Sequence, residues 1–193
     1  EAEATLQVRG KAAWAQVEAR REVDRESPLQ IVLVQALAAG DKMDWVVQKA
    51  VELGASAIQP VQAERSVLRL AGERADKRQA HWQQVAVAAC EQCGRNRIPE
   101  VRPLRPLAHW LAEHRDALTY VLAPGGAASF AEEPAPQQVV HVLVGPAGGW
   151  SDAEMAAFDA AGCRRVRLGP RVLRTETAGL AAIAALQARW GDF

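Results

Sequence analysis

Net charge is the first thing this sequence lacks: 23 lysines and arginines stand against 23 aspartates and glutamates, with four histidines besides. That balance excludes a uniformly basic coat for nucleic acid and leaves only local patches. Cysteine is scarce. Cys90, Cys93 and Cys163 are the only three, too few for a paired disulfide framework, which reads as a reducing, cytoplasmic setting. No apolar run reaches the ~18 residues a membrane span needs. There is no signal peptide and no initiator methionine, so "EAEATLQVRG" reads as the opening of a chain cut from something longer. G-x-G-x-x-G is absent, which leaves a Rossmann dinucleotide site poorly supported. No second cysteine pair and no histidine pair accompany Cys90-x-x-Cys93, so these two read as small core residues on a helix rather than zinc ligands, and no metal is expected. The four histidines suggest no dyad, and no internal repeat is present.

What is there is the balance of a globular chain: 49% hydrophobic and 24% charged residues, enough for one good core and a small second unit. Residues 4–10 and 13–23 alternate apolar and polar, as half-buried strands do. "DRESP" (24–28) reads as a linker. Beyond it the pattern alternates between strands and helices. "LQIVLVQAL" (29–37), "SAIQPV" (56–61), "TYVLAP" (119–124), "VVHVLVGP" (139–146) and "RRVRLG" (164–169) predict strands. Helices are predicted over 41–54, capped by Asp41 or Asp44 and stopped by Gly54, and over 76–94, with Trp82, Val85, Ala86, Ala89 and Cys90 on one stripe. Three more are predicted over 107–116, over 151–162 with a Ser151–Glu154 capping box, and over 175–190, capped by Thr175 or Thr177. This order predicts an α/β fold with a mainly parallel sheet from about residue 29 onward.

Two loops follow strands, where open α/β sheets bind ligands. One is "LVGPAGGWS" (143–151), whose Gly145, Gly148 and Gly149 let backbone approach a ligand closely. The other is "LGPRVLRTETA" (168–178), where Arg171 and Arg174 bracket Val172-Leu173 before a hydroxyl–carboxylate–hydroxyl triplet. A solvated surface loop does not need an apolar pair between its arginines, so two such loops on one edge favour a ligand site. A third stretch, "EQCGRNRIPEVRPLR" (91–105), clusters Arg95, Arg97, Arg102 and Arg105 around Asn96. It reads either as a phosphate-contacting loop or as a solvated charge run. Lys49 and Glu52 are helical, and such pairs are mostly solvated.

In this order, "GDKMDWVVQKAVELGASAIQPVQAERS", "AVAACEQCGRNRIPEVRP", "LVGPAGGWSDAEM" and "LGPRVLRTETA" resemble the ribosomal RNA small subunit methyltransferase E family of the SPOUT class, from about residue 27 to the terminal "RWGDF". The resemblance implies transfer of a methyl group from S-adenosylmethionine to N3 of one uridine in 16S ribosomal RNA, free or within the small ribosomal subunit. It implies a SPOUT-type trefoil knot with helices on both faces of the sheet, and a homodimer. Residues 1–26 would be an incomplete remnant of the family's N-terminal PUA-like β-barrel, with residues 27–193 forming the methyltransferase domain. The implied donor site comprises Leu122, Gly145, Pro146, Gly148, Gly149, Leu168, Gly169, Leu173, Thr175 and Thr177. Uracil N3 keeps its proton at neutral pH, so the site must remove it or stabilise the anion. Arg174 and Arg95 are the candidate catalytic stabilisers and Glu176 a candidate base, unless its carboxylate orients Arg174. Arg95, Asn96, Arg97 and Arg171 are the candidate RNA contacts. One departure stands out: the family's glycine loop reads Gly-Pro-Glu-Gly-Gly, and Ala147 takes the glutamate's place here. Two other readings remain at this point: a SPOUT enzyme for transfer RNA or another ribosomal position, and a non-catalytic RNA-binding or ribosome-assembly protein of the same fold.

Overall fold

A computed structural model describes residues 1–126 and 128–193. The chain opens on a hairpin of β1 (Ala2–Arg9) and β2 (Ala12–Arg20), paired antiparallel. Cross-strand partners share a face, so Leu6 opposite Ala15 and Val8 opposite Ala13 build an apolar side. Every residue of both strands is exposed, Leu6 and Val8 by more than 60%. The hairpin forms its own two-stranded sheet, apart from the main one.

The main sheet has seven strands. These are β3 (Ile31–Ala36), β4 (Ala57–Gln62), β5 (Glu100–Val101), β6 (Arg105–Pro106), β7 (Leu118–Leu122), β8 (Val140–Val144) and β9 (Arg164–Val166). Their order is β5-β4-β3-β8-β7-β9, with β6 also pairing β4, at Val61 and Gln62, and each pairing in this sheet is parallel. Parallel neighbours require crossovers; α1 (Lys42–Glu52), α2 (Glu73–Cys93), α3 (Leu107–Glu113) and α4 (Asp152–Ala160) lie within them, and α5 (Thr175–Trp190) follows the last strand.

Side-chain alternation sorts these helices into two layers. Ile31, Leu33, Val140, Val142 and Val144 pack with residues of α1, α2 and α5, including Val47, Trp82 and Ile183. Val32, Val34 and Leu143 pack on the opposite face with Trp110 and Leu111 of α3 and Phe158 of α4. Burial of such a side chain contributes about 1.5–3 kcal/mol, so β3 and β8, apolar on both faces, are the anchor of the domain. The mainly parallel α/β sheet with helices on both faces is therefore observed.

Some local expectations change. Asp41 occupies the N-cap position of α1 but makes no side-chain cap bond. Asp44 ties α1 to α2 instead, accepting from Trp82 Nε1 at 3.1 Å and pairing with His81 at 2.7 Å. The Ser151–Glu154 capping box forms as read. At α5, neither threonine is the cap; Arg174 holds that position without a side-chain cap bond. Thr175 is diverted because its hydroxyl bonds across the sheet edge, as described below.

Candidate functional site

Four chain segments meet at the carboxyl edge of the sheet: the start of α1 after β3, the exit of β7, the glycine loop after β8, and residues 167–174 after β9. Trp150 closes the glycine loop. Its indole donates to Leu122 O at 3.1 Å, and its ring meets Phe158 edge-to-face at 4.9 Å. Arg65, on the loop after β4, donates to Trp150 O at 2.9 Å. Thr175 donates to Gly145 O at 2.6 Å and accepts from buried Gln35 at 3.0 Å, so one hydroxyl joins α5 to β8 and β3. Ala123 N donates to Val166 O at 3.1 Å, tying the exits of β7 and β9.

These contacts frame a cavity of about 370 Å³, within the range of cofactor sites. Leu122, Gly145, Pro146, Gly149, Leu168, Gly169, Leu173 and Thr175 line it, with Arg171, Val172, Arg174 and Glu176 at the same wall. Residues from the two loops singled out in the sequence thus share one cavity with Leu122. Gly169 has φ +71°, a left-handed turn that glycine adopts without a Cβ penalty.

Several proposed site residues lie elsewhere. Gly148 does not line the cavity; a Cβ there would sit 3.1 Å from Arg65 Cβ and 3.2 Å from Arg65 O, so this glycine permits the loop after β4 to press on the glycine loop. Thr177 is exposed outside the cavity. Arg95 is buried at the opposite, amino edge of the sheet. It forms an ion pair with Glu26 and donates to Val51 O and Ala55 O at 2.9 Å each. Its donors close the end of α1 and the turn before β4, which removes it from the cavity and from catalysis there. Asn96 donates to Val23 O, and Arg97 meets Asp24 at 3.2 Å. All three residues of this run are engaged with residues 23–26 rather than gathered at the cavity. Lys49 and Glu52 pair with each other at 2.7 Å, away from it. Cys90 is buried in α2, where burial pushes its thiol up, and the described residues contain no cluster suited to a metal ion.

The sequence reading missed Lys42. It lines the cavity and pairs with Glu176 at 2.8 Å. This hydrogen bond holds the Glu176 carboxyl below its ordinary range, against the opposing effect of burial. A carboxylate so stabilised is a weaker proton acceptor. Glu176 pairs with Lys42 rather than with Arg174; Arg174 forms no ion pair among the described residues, although its charge also helps to hold Glu176 down. Arg65, Arg69, Arg167 and Arg171 likewise have no ion-pair partner there. Arg167, Arg171 and Arg174 line the mouth and Arg65 bonds the glycine loop beside it, a local basic rim on a chain of zero formal charge.

The comparisons with known proteins agree with this geometry. Residues 25–187 match the model of an RNA methyltransferase domain. The ribosomal RNA small subunit methyltransferase E of Buchnera aphidicola subsp. Schizaphis graminum is 36% identical over 168 residues, covering 86% of this chain and 68% of that protein. The enzyme of the same name from Bacillus subtilis is 34% identical over 172 residues, covering 84% and 67%. Among solved structures, ribosomal RNA small subunit methyltransferase E from Neisseria gonorrhoeae, bound to S-adenosyl methionine, superposes with a TM-score of 0.89 at 43% identity, over 98% of this chain and 79% of that one. A methyltransferase from Legionella pneumophila, also solved with bound S-adenosylmethionine, gives 0.93 at 38% identity with the same coverages. Fold and cavity together thus define an RNA methyltransferase. More narrowly, the chain belongs to the ribosomal RNA small subunit methyltransferase E family.

Proposed function

We infer that this protein methylates N3 of a specific uridine in 16S ribosomal RNA, with S-adenosylmethionine as donor. The observation that carries this reading is the single cavity at the carboxyl edge, with leucine walls, free backbone donors and a cationic mouth. The residues fit the donor. Leu122, Leu168 and Leu173 offer apolar walls for an adenine ring, and the amides of Leu168, Gly169 and Leu173 find no acceptor among the described residues. When bound, S-adenosylmethionine supplies a methyl group already activated on a sulfonium.

The chain's own task is then to hold the uracil and manage its proton. Arg174, at the start of α5 and outside any direct ion pair among the described residues, is placed to stabilise negative charge developing on the uracil oxygens. The N-terminus of α5 adds to the same field. Glu176, held down by Lys42, is the poorer choice of base. RNA phosphates fit the rim of Arg65, Arg167 and Arg171 better than the 95–97 run, which is spent on residues 23–26.

The same family reading carries four further inferences. A trefoil knot is supported by the insertion of β8 between the earlier strands β3 and β7, and by the path from edge strand β9 back to α5, which packs on α1, β3 and β8. A homodimer is supported by Thr177, Ala181, Ala184 and Ala188, a stripe of small residues left partly or fully exposed on α5. The hairpin, followed by the linker at 24–28, is the candidate remnant of a PUA-like RNA-binding barrel, with residues 27–193 as the methyltransferase domain. No helix among the described residues is long and apolar enough to cross a membrane, and a cytoplasmic location accords with the substrate.

Calorimetry with S-adenosylmethionine, followed by mass mapping of modified nucleotides in 16S RNA from cells lacking the protein, tests the reading. Donor binding with loss of one N3-methyluridine is expected. Failure to bind donor returns the protein to the non-catalytic RNA-binding class, and loss of a modification elsewhere makes it a different RNA methyltransferase.

A further inference from the structure

The loop after β4 is fastened to the glycine loop more closely than a phosphate-binding rim alone requires. The Arg65 guanidinium donates through Nη1 to Trp150 O at 2.9 Å and lies 3.5 Å from Gly148 O. The missing Cβ of Gly148 makes room for the Arg65 stem. Glu64 N donates to Glu154 Oε1 at 2.8 Å, while Glu154 Oε2 accepts from Ser151 N at 2.9 Å in the cap of α4. The glycine loop is thus pinned at both ends, at Gly145 O by Thr175 and at Trp150 O by Arg65. Its Gly145, Pro146, Ala147, Gly149 and Trp150 form a wall of the cavity. The two pins differ in access: Thr175 is buried, whereas Arg65 is exposed and open to an outside ligand. Only Nη1 of Arg65 is engaged; its Nε and Nη2 make no hydrogen bond among the described residues. A guanidinium has donors enough to hold a carbonyl with one nitrogen and a phosphate with the others.

We propose that Arg65 couples RNA binding to donor binding, which rests on the RNA methyltransferase reading above. Its Nε and Nη2 take an RNA phosphate while Nη1 holds Trp150 O, so bound RNA fixes the glycine loop in its donor-binding form. Arg65 does not line the cavity, and its role is that of a positioning residue. Linkage requires that RNA and donor each tighten the other's binding by the same factor. Arg69 is the control within the same loop: its Nη2 bonds Glu64 O and leaves the glycine loop untouched.

Equilibrium dialysis of labelled S-adenosylhomocysteine against the whole chain tests the coupling, without RNA and with saturating small ribosomal subunits from cells lacking the protein. In the native protein the subunits are expected to tighten S-adenosylhomocysteine binding by about fivefold or more. In Arg65→Ala that gain should shrink to less than about twofold, with affinity in the absence of subunits within about threefold of native, which also reports a folded cavity. Arg65→Gln can still donate to Trp150 O but carries no charge for a phosphate; it should lose the gain too, and serves if Arg65→Ala fails to fold. Arg69→Ala should need more subunits to saturate yet keep the full gain. No gain in the native protein, a gain that survives at Arg65, or one lost equally at Arg69 overturns the coupling and leaves the methyltransferase reading standing. An equal loss of affinity with and without subunits in Arg65→Ala makes the residue a mere brace and overturns it as well. Absence of S-adenosylhomocysteine or subunit binding by the native protein overturns the methyltransferase reading, and the coupling with it.

Discussion

Arg174 and Arg95 look alike in the sequence, each in a run of arginines beside a helix boundary, and burial separates them. The Arg95 side chain is 6% exposed and that of its partner Glu26 14%. Breaking such a pair leaves a buried charge uncompensated and typically costs about 3–5 kcal/mol. Arg95→Met should therefore lower stability by that order in urea unfolding while leaving donor affinity unchanged. Unaltered stability would contradict the structural role. Arg174 is exposed, lines the cavity and forms no ion pair among the described residues, so its substitution should do the reverse. Removing a transition-state donor of this kind costs ~10²–10³ in turnover. Arg174→Ala should show that loss in single-turnover methyl transfer with saturating donor and RNA, with the fold and donor affinity retained. Arg174→Lys keeps the charge but loses the planar fork, and should be impaired too. Near-native transfer by Arg174→Ala would move the stabilising role to Arg167 or Arg171.

At the level of elements, the long periodic stretches were legible: α5 spans Thr175–Trp190 as read, and the ends of β3 and β8 fall within two residues of expectation. Patterning succeeds there because β3 and β8 are buried on both faces and their apolar runs are unbroken. The glycine loop was legible for a related reason: it follows β8, whereas the Gly-Pro loop, after the exposed edge strand β9, was legible from its own Gly-Pro stop and the apolar pair between its arginines. Lys42 was not, because only the sheet order brings the start of α1 to Glu176 at the start of α5. Arg95 was misplaced because a charge run reads the same whether it is solvated or folded under a linker. The histidines were likewise opaque: α3 and β8 bring His114 and His141 to 5.3 Å, with Trp110 stacked on His114 at 4.5 Å. Burial first, then the neighbouring His114 and Arg102, pull the His141 imidazole from 6.5 down to about 4. The folded state therefore refuses a proton that the unfolded chain accepts between these values. Stability from this group is complete above about pH 6.5 and falls as pH drops toward 4, by ~3 kcal/mol in all. Urea midpoints measured from pH 7 to 4.5 should decline over this window, and His141→Gln should flatten the decline. An equally steep decline in the variant would assign the effect to other groups.

For the molecule as a whole, the question is how a chain of zero formal charge holds RNA. The methyltransferase unit places Arg167, Arg171 and Arg174, none of them in an ion pair among the described residues, at one mouth, and the hairpin adds Arg9, Lys11 and Arg20 on a separate sheet. Both hairpin faces are exposed, and none of its residues belongs to either core cluster. Its deletion should therefore leave the domain standing. Removing residues 1–20 keeps Glu26 for Arg95 and the linker that Asn96 and Arg97 hold. The urea midpoint should change little and the donor affinity by less than about twofold, since area that stays in water contributes nothing to folding. RNA binding should respond differently. Each phosphate neutralised adds roughly −0.7 to −0.9 to the slope of log affinity against log salt. If the hairpin is part of an RNA-contacting barrel, losing its three cations should flatten that slope by up to about 2–3. A lowered urea midpoint would make the hairpin part of the core. An identical salt slope with and without it would confine RNA contact to the arginines around the cavity.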